Sequence, residues 1–229
     1  MRVVILQPSF LPWKGYFHQI RRADVFVFLD DVQYDKHGWR NRNRIKTEQG
    51  AQWISVDVLT KGSFGQQIRE VKINNGVEWS RRIWKAITMN YRKSPYFIDY
   101  ADMLEEALFA GWEFLSELDI HLTKKIAGLL ECGTAFYRSS ELDVAGDKMS
   151  RIINICKHFK ADRYLTGPSA RSYLVDDLFL ENDILLEYQD YDYPPYPQRY
   201  DDFIGDVSII DMLFNCGPAT PHFIWGENP

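Results

Sequence analysis

Residues 30–44 gather Asp30, Asp31, Gln33, Tyr34, Lys36, His37, Trp39, Arg42, Asn43 and Arg44 directly behind an apolar run. A carboxylate at the end of a strand can accept hydrogen bonds from sugar hydroxyls, hold Mg²⁺ or take the proton of an amine. Asp30 and Asp31 are therefore candidate bases. Neighbours on a strand point to opposite faces, so only one of them serves a given site. Residues 36–46 add Lys36, Arg40, Arg42, Arg44 and Lys46 with no acid among them, a patch suited to one phosphorylated ligand. Guanidinium forks clamp a diphosphate in two-point fashion, and Asn43 adds an amide donor. Trp39 and Tyr34 offer flat faces for a base or sugar, with Gln33 as a polar neighbour. His37 is the one histidine in this segment. The plainer alternatives are a solvated acidic pair and a charged hairpin in water.

The elements that must position these side chains form a unit of strand (Val3 to Leu6), Pro-bounded turn, helix (Pro12 to Arg22) and second strand (Val25 to Leu29). Two apolar strands joined through a helix imply parallel pairing. Ligands of such units sit beyond the carboxyl ends of the strands, where Gln7, Pro8, Trp13, Gly15 and Tyr16 join residues 30–44. Pro12 suits the first helical position, free N–H groups there can hold a phosphate, and Gly15 admits a flat group close to the helix. The alternative is that Trp13 and Tyr16 pack the helix on the sheet.

Farther along, Gln52–Val58 and Ile68–Ile73 read as an antiparallel strand pair joined by a Gly-containing turn at 61–65. Residues 77–131 read as helical, and Trp112, Leu115, Leu118, Leu122, Ile126 and Leu129 make one apolar stripe interpreted as core. Strand and helix then alternate again: a strand at Ala135–Arg138, a helix whose apolar face includes Met149, Ile153 and Phe159, and a strand at Tyr164–Thr166. A helix at Tyr173–Leu180 and a strand at Ile184–Tyr188 follow. The turn Thr166-Gly167-Pro168-Ser169 can offer backbone donors to an oxyanion or carbonyl. Tyr193–Gln198, with Tyr196 and Gln198, is stiff and aromatic, either a rim over the site or surface packing. Ser208–Phe214 closes the chain as a helix capped by Ser208 and stopped by Gly217-Pro218. The expected fold is α/β, a mainly parallel sheet of Rossmann-like topology with a helical insertion and a short antiparallel pair. It is expected as one domain over residues 1–229, the insertion falling at about 77–131.

Composition narrows the functions. The chain has 229 residues, 45% of them hydrophobic, and no apolar run near the ~20 residues needed to cross a bilayer. Its N-terminal stretch lacks the apolar length of a signal peptide, so a cytoplasmic location is expected. A net charge of −5 disfavours a membrane surface and extended nucleic-acid contact. Three widely spaced cysteines, with no CxxC pair, point to buried reduced thiols. The five histidines show no metal-ligand spacing, so no metal site is assigned.

Strand, turn and helix at residues 3–22 resemble the nucleotidyltransferase-like α/β group, whose members carry an HxGH motif for ATP phosphates. Here Trp13 and Tyr16 stand at the two histidine positions, which implies shared topology without the usual triphosphate stabilisers. A second resemblance covers nearly the whole chain. The blocks QPSFLPWKGYF, ADVFVFLDDVQYDKHGWRNRNRI, YLTGPSARSYL, YPPYPQ and SIIDMLFNCGP, in that order, resemble the WbqC-like protein family of bacteria. That resemblance implies a role in surface glycans such as O-antigen, particularly adding an acyl or aminoacyl group such as glycine to an amino sugar. The reaction expected is amide formation on the amino group of a nucleotide-linked amino-deoxy sugar, with Asp30 or Asp31 taking the ammonium proton. ATP with Mg²⁺, a CoA thioester and an aminoacyl-tRNA all remain open as acyl donor, and a homo-oligomer is left open. The alternatives are a non-catalytic nucleotide-sugar binding module and, more weakly, a glycosyltransferase.

Overall fold

Val3, Val4 and Ile5 are all buried because β1 (Arg2–Leu6) is the middle strand of a sheet covered on both faces. In the computed structural model, which describes residues 1–60, 65–192 and 194–226, α1 (Lys14–Arg22) carries the chain to β2 (Val25–Phe28). Two hairpin-like pairs follow. β3 (Arg42–Thr47) pairs antiparallel with β4 (Gly50–Ser55), and β5 (Val58–Leu59) with β6 (Lys72–Ile73). Helices α2 (Trp79–Tyr91), α3 (Phe97–Phe109) and α4 (Leu115–Leu129) come next. The sheet resumes with β7 (Ala135–Arg138), α5 (Lys148–His158), β8 (Arg163–Thr166), α6 (Asp176–Leu180) and β9 (Leu185–Tyr188). α7 (Ile209–Cys216) and α8 (Thr220–Trp225) complete it.

The main sheet has five parallel strands in the order β7-β2-β1-β8-β9. Successive crossovers first run outward from β1 through β2 to β7, then return to the other side of β1 through β8 to β9. The direction reverses between β1 and β8, the switch point at whose carboxyl edge such sheets bind ligands. This is the Rossmann-like parallel architecture expected from the sequence.

Strand alternation divides the interior in two. Val4, Phe26, Phe28 and Leu165 face a large core shared with α1, α2, α3, α4 and α7. Val3, Ile5, Val25, Val27 and Tyr164 face a smaller one closed by α5 and α6.

Several expectations need correction. The antiparallel pairing expected between Gln52–Val58 and Ile68–Ile73 survives only at its ends, Val58 opposite Ile73: β4 pairs instead with β3, and Ile68–Glu70 is a 3₁₀ turn. The charged run of residues 42–47 did not read as a strand because its apolar alternation is masked by Arg42, Arg44 and Lys46. Of the turn expected at 61–65, residues 61–64 lie outside the described residues. α1 begins at Lys14 with Trp13 as N-cap, so Pro12 precedes the helix. α6 begins at Asp176, and the preceding Pro168–Ser172 is a separate 3₁₀ turn. In the α4 stripe Leu115, Leu118, Leu122 and Ile126 are fully buried, whereas Leu129 is 46% exposed. The cysteines are free, two of them buried, and burial pushes the Cys156 and Cys216 thiols up to about 12.

Candidate functional site

The turn after β1 is held from three sides. Tyr16 Oη donates to the Gln7 carbonyl at 3.1 Å, and Arg40 Nη1 to Gln7 Oε1 at 3.0 Å. Asn43 Nδ2 donates to the carbonyls of Phe10 (3.2 Å) and Leu11 (2.7 Å), and Ile209 N to that of Pro12 (3.0 Å). Leu11 lies at φ 42°, a backbone state that a branched side chain adopts only when its surroundings impose it. Asn43 imposes it, so this buried amide is a structural clamp. Pro8 is buried within the same turn.

Trp13 and Gly15 form one unit. A Cβ on Gly15 would come within 2.3 Å of the Trp13 indole, so the flat group that Gly15 admits is this ring. The indole also meets Tyr191 edge-on, at 6.5 Å between centroids. Tyr16 is buried, and burial drives its phenol far above the ordinary range.

Beyond β2, the two aspartates are committed to other residues. Asp30, fully buried, accepts from Arg138 Nε at 2.8 Å, Ser140 N at 3.1 Å and Ser140 Oγ at 2.9 Å. Asp31 pairs with Arg151 and takes Ser139 Oγ at 2.6 Å. This geometry gives both carboxylates a structural use, tying the carboxyl ends of β2 and β7 to α5. Gln33 is exposed and bridges to Gln67, and Tyr34 N donates to the Gln66 carbonyl at 2.8 Å. His37 is exposed in an Asx-type turn closed on Asp35 at 2.9 Å, and Lys36 Nζ reaches the Thr60 carbonyl at 3.5 Å.

The hairpin β3–β4 carries a different surface. Alternation puts Arg42 and Arg44 on one side of β3, and register sets Arg44 opposite Trp53. Trp39 and Trp53, 42% and 45% exposed, lie 5.0 Å apart between ring centroids. The Arg42 guanidinium is 4.7 Å from the Trp53 ring, and that of Arg44 is 5.6 Å from both indoles. Arg42 is aimed by bonds to the His37 and Gly38 carbonyls and Arg44 by a pair with Asp206. These contacts orient five-donor groups without exhausting them. The result is a cationic, aromatic platform.

Across the switch point, Thr166 is buried, its carbonyl accepting from Gln189 N at 2.7 Å. Gly167 caps the 3₁₀ turn, and Ser169 is exposed. Tyr196 is buried and Gln198 half-buried, and both donate to Asp211 Oδ2, at 2.7 and 2.6 Å. Tyr193 lies outside the described residues. Asp211 also accepts from Tyr91 Oη at 2.8 Å, and burial raises its pKa.

Four residues escaped the reading of the sequence. Lys14 is buried with Nζ 4.8 Å from the Tyr196 ring, and burial lowers its pKa to about 8 against the pull of Asp211 and Asp206. Asp211 and Trp53 are the second and third. The fourth is Asp119 on α4, fully buried, its pKa driven well up by burial while Arg40 pulls it down. Tyr16, Tyr34 and Arg40 all lie within its field. The Tyr34 phenol is pushed up to about 12, by burial first and then by Asp119 and Asp35. Among the described residues no group of three His, Cys, Asp or Glu side chains converges to hold a metal ion.

Comparison with known proteins gives three findings. The chain is 40% identical over 225 residues to "Uncharacterized protein Rv1507c" of Mycobacterium tuberculosis (strain ATCC 25618 / H37Rv), which covers 97% of each chain. No solved structure matches. The model of the WbqC-like protein family matches residues 7–223, a span that includes the β1 turn, the arginine–tryptophan hairpin and Asp119; the chain belongs to this family.

Proposed function

We propose that the protein is an amide-forming transferase or ligase that acylates the amino group of a nucleotide-linked amino-deoxy sugar during surface polysaccharide synthesis. The observation that carries this reading is the platform of Arg42, Arg44, Trp39 and Trp53, on the hairpin bonded to the turn after β1. Guanidinium forks suit a diphosphate and exposed indoles suit a base, so the pair suits a nucleotide diphosphate. In the reaction the sugar nitrogen attacks the carbonyl of an activated acyl donor and a C–N bond forms. The donor's leaving group departs, a thiolate, a tRNA hydroxyl or AMP, and one proton passes from nitrogen to a base. Trp13 at the start of α1, where an adenylate-forming enzyme would cradle ATP, favours a donor activated elsewhere.

The test pairs binding with turnover. UDP and dTDP should each be measured by thermal shift, and a nucleotide-linked amino sugar incubated with a CoA thioester, an aminoacyl-tRNA, or ATP with an acid. A nucleotide-dependent rise in Tm and a product heavier by the acyl group are expected. The absence of both overturns the reading. The commitment of Asp30 and Asp31 to Arg138, Ser139, Ser140 and Arg151 favours a second reading, a nucleotide-sugar binding module of the same pathway. Binding without product from any donor selects it.

A further inference from the structure

Beside its apolar stripe, α4 carries a second, polar one on its inward side. Ser116, Asp119 and Thr123 follow at spacings of three and four residues and are all 0% exposed. Among the described residues, neither Asp119 oxygen has a hydrogen-bond partner, nor does the hydroxyl of Ser116 or Thr123. The groups whose fields meet Asp119 are Arg40, Tyr16 and Tyr34, from the segments at the carboxyl ends of β1 and β2. Arg40 spends Nη1 on Gln7, and its buried Nε has no partner among the described residues. Among the described residues, no ion pair joins Arg40 to Asp119. A fully buried carboxyl near a half-buried guanidinium whose Nε is shut off from water is costly, since neither receives the other. Two flanking hydroxyls with the same deficit make the cost larger, and such costs persist where function uses them.

From this geometry we infer that Asp119 and Arg40, flanked by Ser116, Thr123 and Tyr34, form a subsite for a ligand that joins a primary amine to an oxyanion. The amine is held by Asp119 and the oxyanion by Arg40. Charge complementarity selects this chemistry, because a purely cationic amine meets Arg40 and a purely anionic ligand meets Asp119. The inference deepens the amide-forming reading and rests on it for the amine's purpose: a carboxylate in contact with the amine is placed to receive its proton. Two sources carry the chemistry, an amino-sugar phosphate and a free α-amino acid.

Saturation-transfer NMR on the full chain, which reads weak, fast-exchanging ligands, provides the test. The probes are glucosamine 1-phosphate, glucose 1-phosphate and glycine, each with the wild type, Asp119→Asn and Arg40→Gln. Binding of glucosamine 1-phosphate or glycine, whichever is the source, is expected, with glucose 1-phosphate silent. Asp119→Asn should weaken the bound probe by roughly thirtyfold or more, the loss typical when one partner of a buried charge pair goes. A thermal melt shows that this variant is folded, and UDP binding at the Arg42–Trp53 platform should survive in it. Equal binding of glucose 1-phosphate, silence of both amine probes, or unaltered binding in Asp119→Asn overturns the inference. Loss of UDP binding and of amide product in the wild type, with amine-probe binding intact, overturns the functional reading alone.

Discussion

At the scale of single residues, burial separates side chains that hold the turn from side chains that carry an unmet need. Asn43 belongs to the first kind. Its amide donates to two carbonyls of a turn whose Leu11 sits at positive φ, so Asn43→Ala leaves both acceptors without this donor. A loss of about 2–3 kcal/mol is expected from chemical denaturation. Asp119 belongs to the second kind. Its pKa is raised by burial, so between the ordinary carboxyl value of 3.8 and the folded value the unfolded chain has released a proton that the folded chain keeps. Stability contributed at this site therefore falls as pH rises through that window. Asp119→Asn removes the ionisation, so the variant should melt higher than the wild type at neutral pH, by roughly 2–4 °C for each ~1 kcal/mol relieved. The gain should vanish below pH ~4, where both side chains are neutral. A variant melting lower at neutral pH would show that the carboxylate is satisfied in the folded protein.

The elements were unequally legible in the sequence. β1, α1, β2, β7, α5 and β8 could be read because their apolar periods are clean and their ends carry Gly, Pro or capping residues. β3 could not, because a strand whose outward positions are Arg42 and Arg44 and whose inward ones include Asn43 and Ile45 has the composition of a charged loop. Its partner β4 runs on in sequence into the short β5, and of that stretch only Val58 meets the expected partner, Ile73. Asp119 and Asp211 hid for a related reason. Each sits between apolar neighbours, Leu118 and Ile120 or Ile210 and Met212, and an acid inside an apolar helical period was the signal available. Asp30 shows the same contrast: sequence position puts it at the carboxyl edge, and only the fold shows Arg138, Ser139 and Ser140 closing on it. Asp30→Ala would leave Arg138 without its buried carboxylate. A loss of ~3–5 kcal/mol is expected, measurable by urea unfolding, with β7 and α5 the first segments to exchange their amides. Within α1, Gly15→Ala drives a methyl group into the Trp13 indole, which must swing away. A cost of about 1–3 kcal/mol and a changed tryptophan emission spectrum are the expected results.

At the scale of the whole molecule, the pH response sums opposed slopes, and it joins the two halves of the fold. Burial, then Arg22, lowers the His18 pKa from 6.5 to about 4. Its ring stacks on Tyr191 at 4.5 Å between centroids, and its Nδ1 lies 2.9 Å from Gln189 Nε2, the donor that also reaches the Gly15 carbonyl at 2.9 Å. Gln189 follows β9 while Gly15 and His18 belong to α1, so this joint spans the switch point from the far half of the sheet to the near one. Between pH 4 and 6.5 the unfolded chain holds a proton on this imidazole that the folded chain excludes. The stability the neutral ring contributes is thus complete above pH 6.5 and is lost as pH falls through this window. His121 is lowered as well, by burial first, and adds a slope of the same sign. Asp119 contributes the opposite slope, so the wild-type curve understates the histidines. In an Asp119→Asn background, the fall in Tm from pH 6.5 toward pH 4 should steepen, and adding His18→Asn should flatten it by several degrees. An unchanged acid limb in the His18 variant would mean that α1 and the Gln189 segment stay joined when the imidazole is charged.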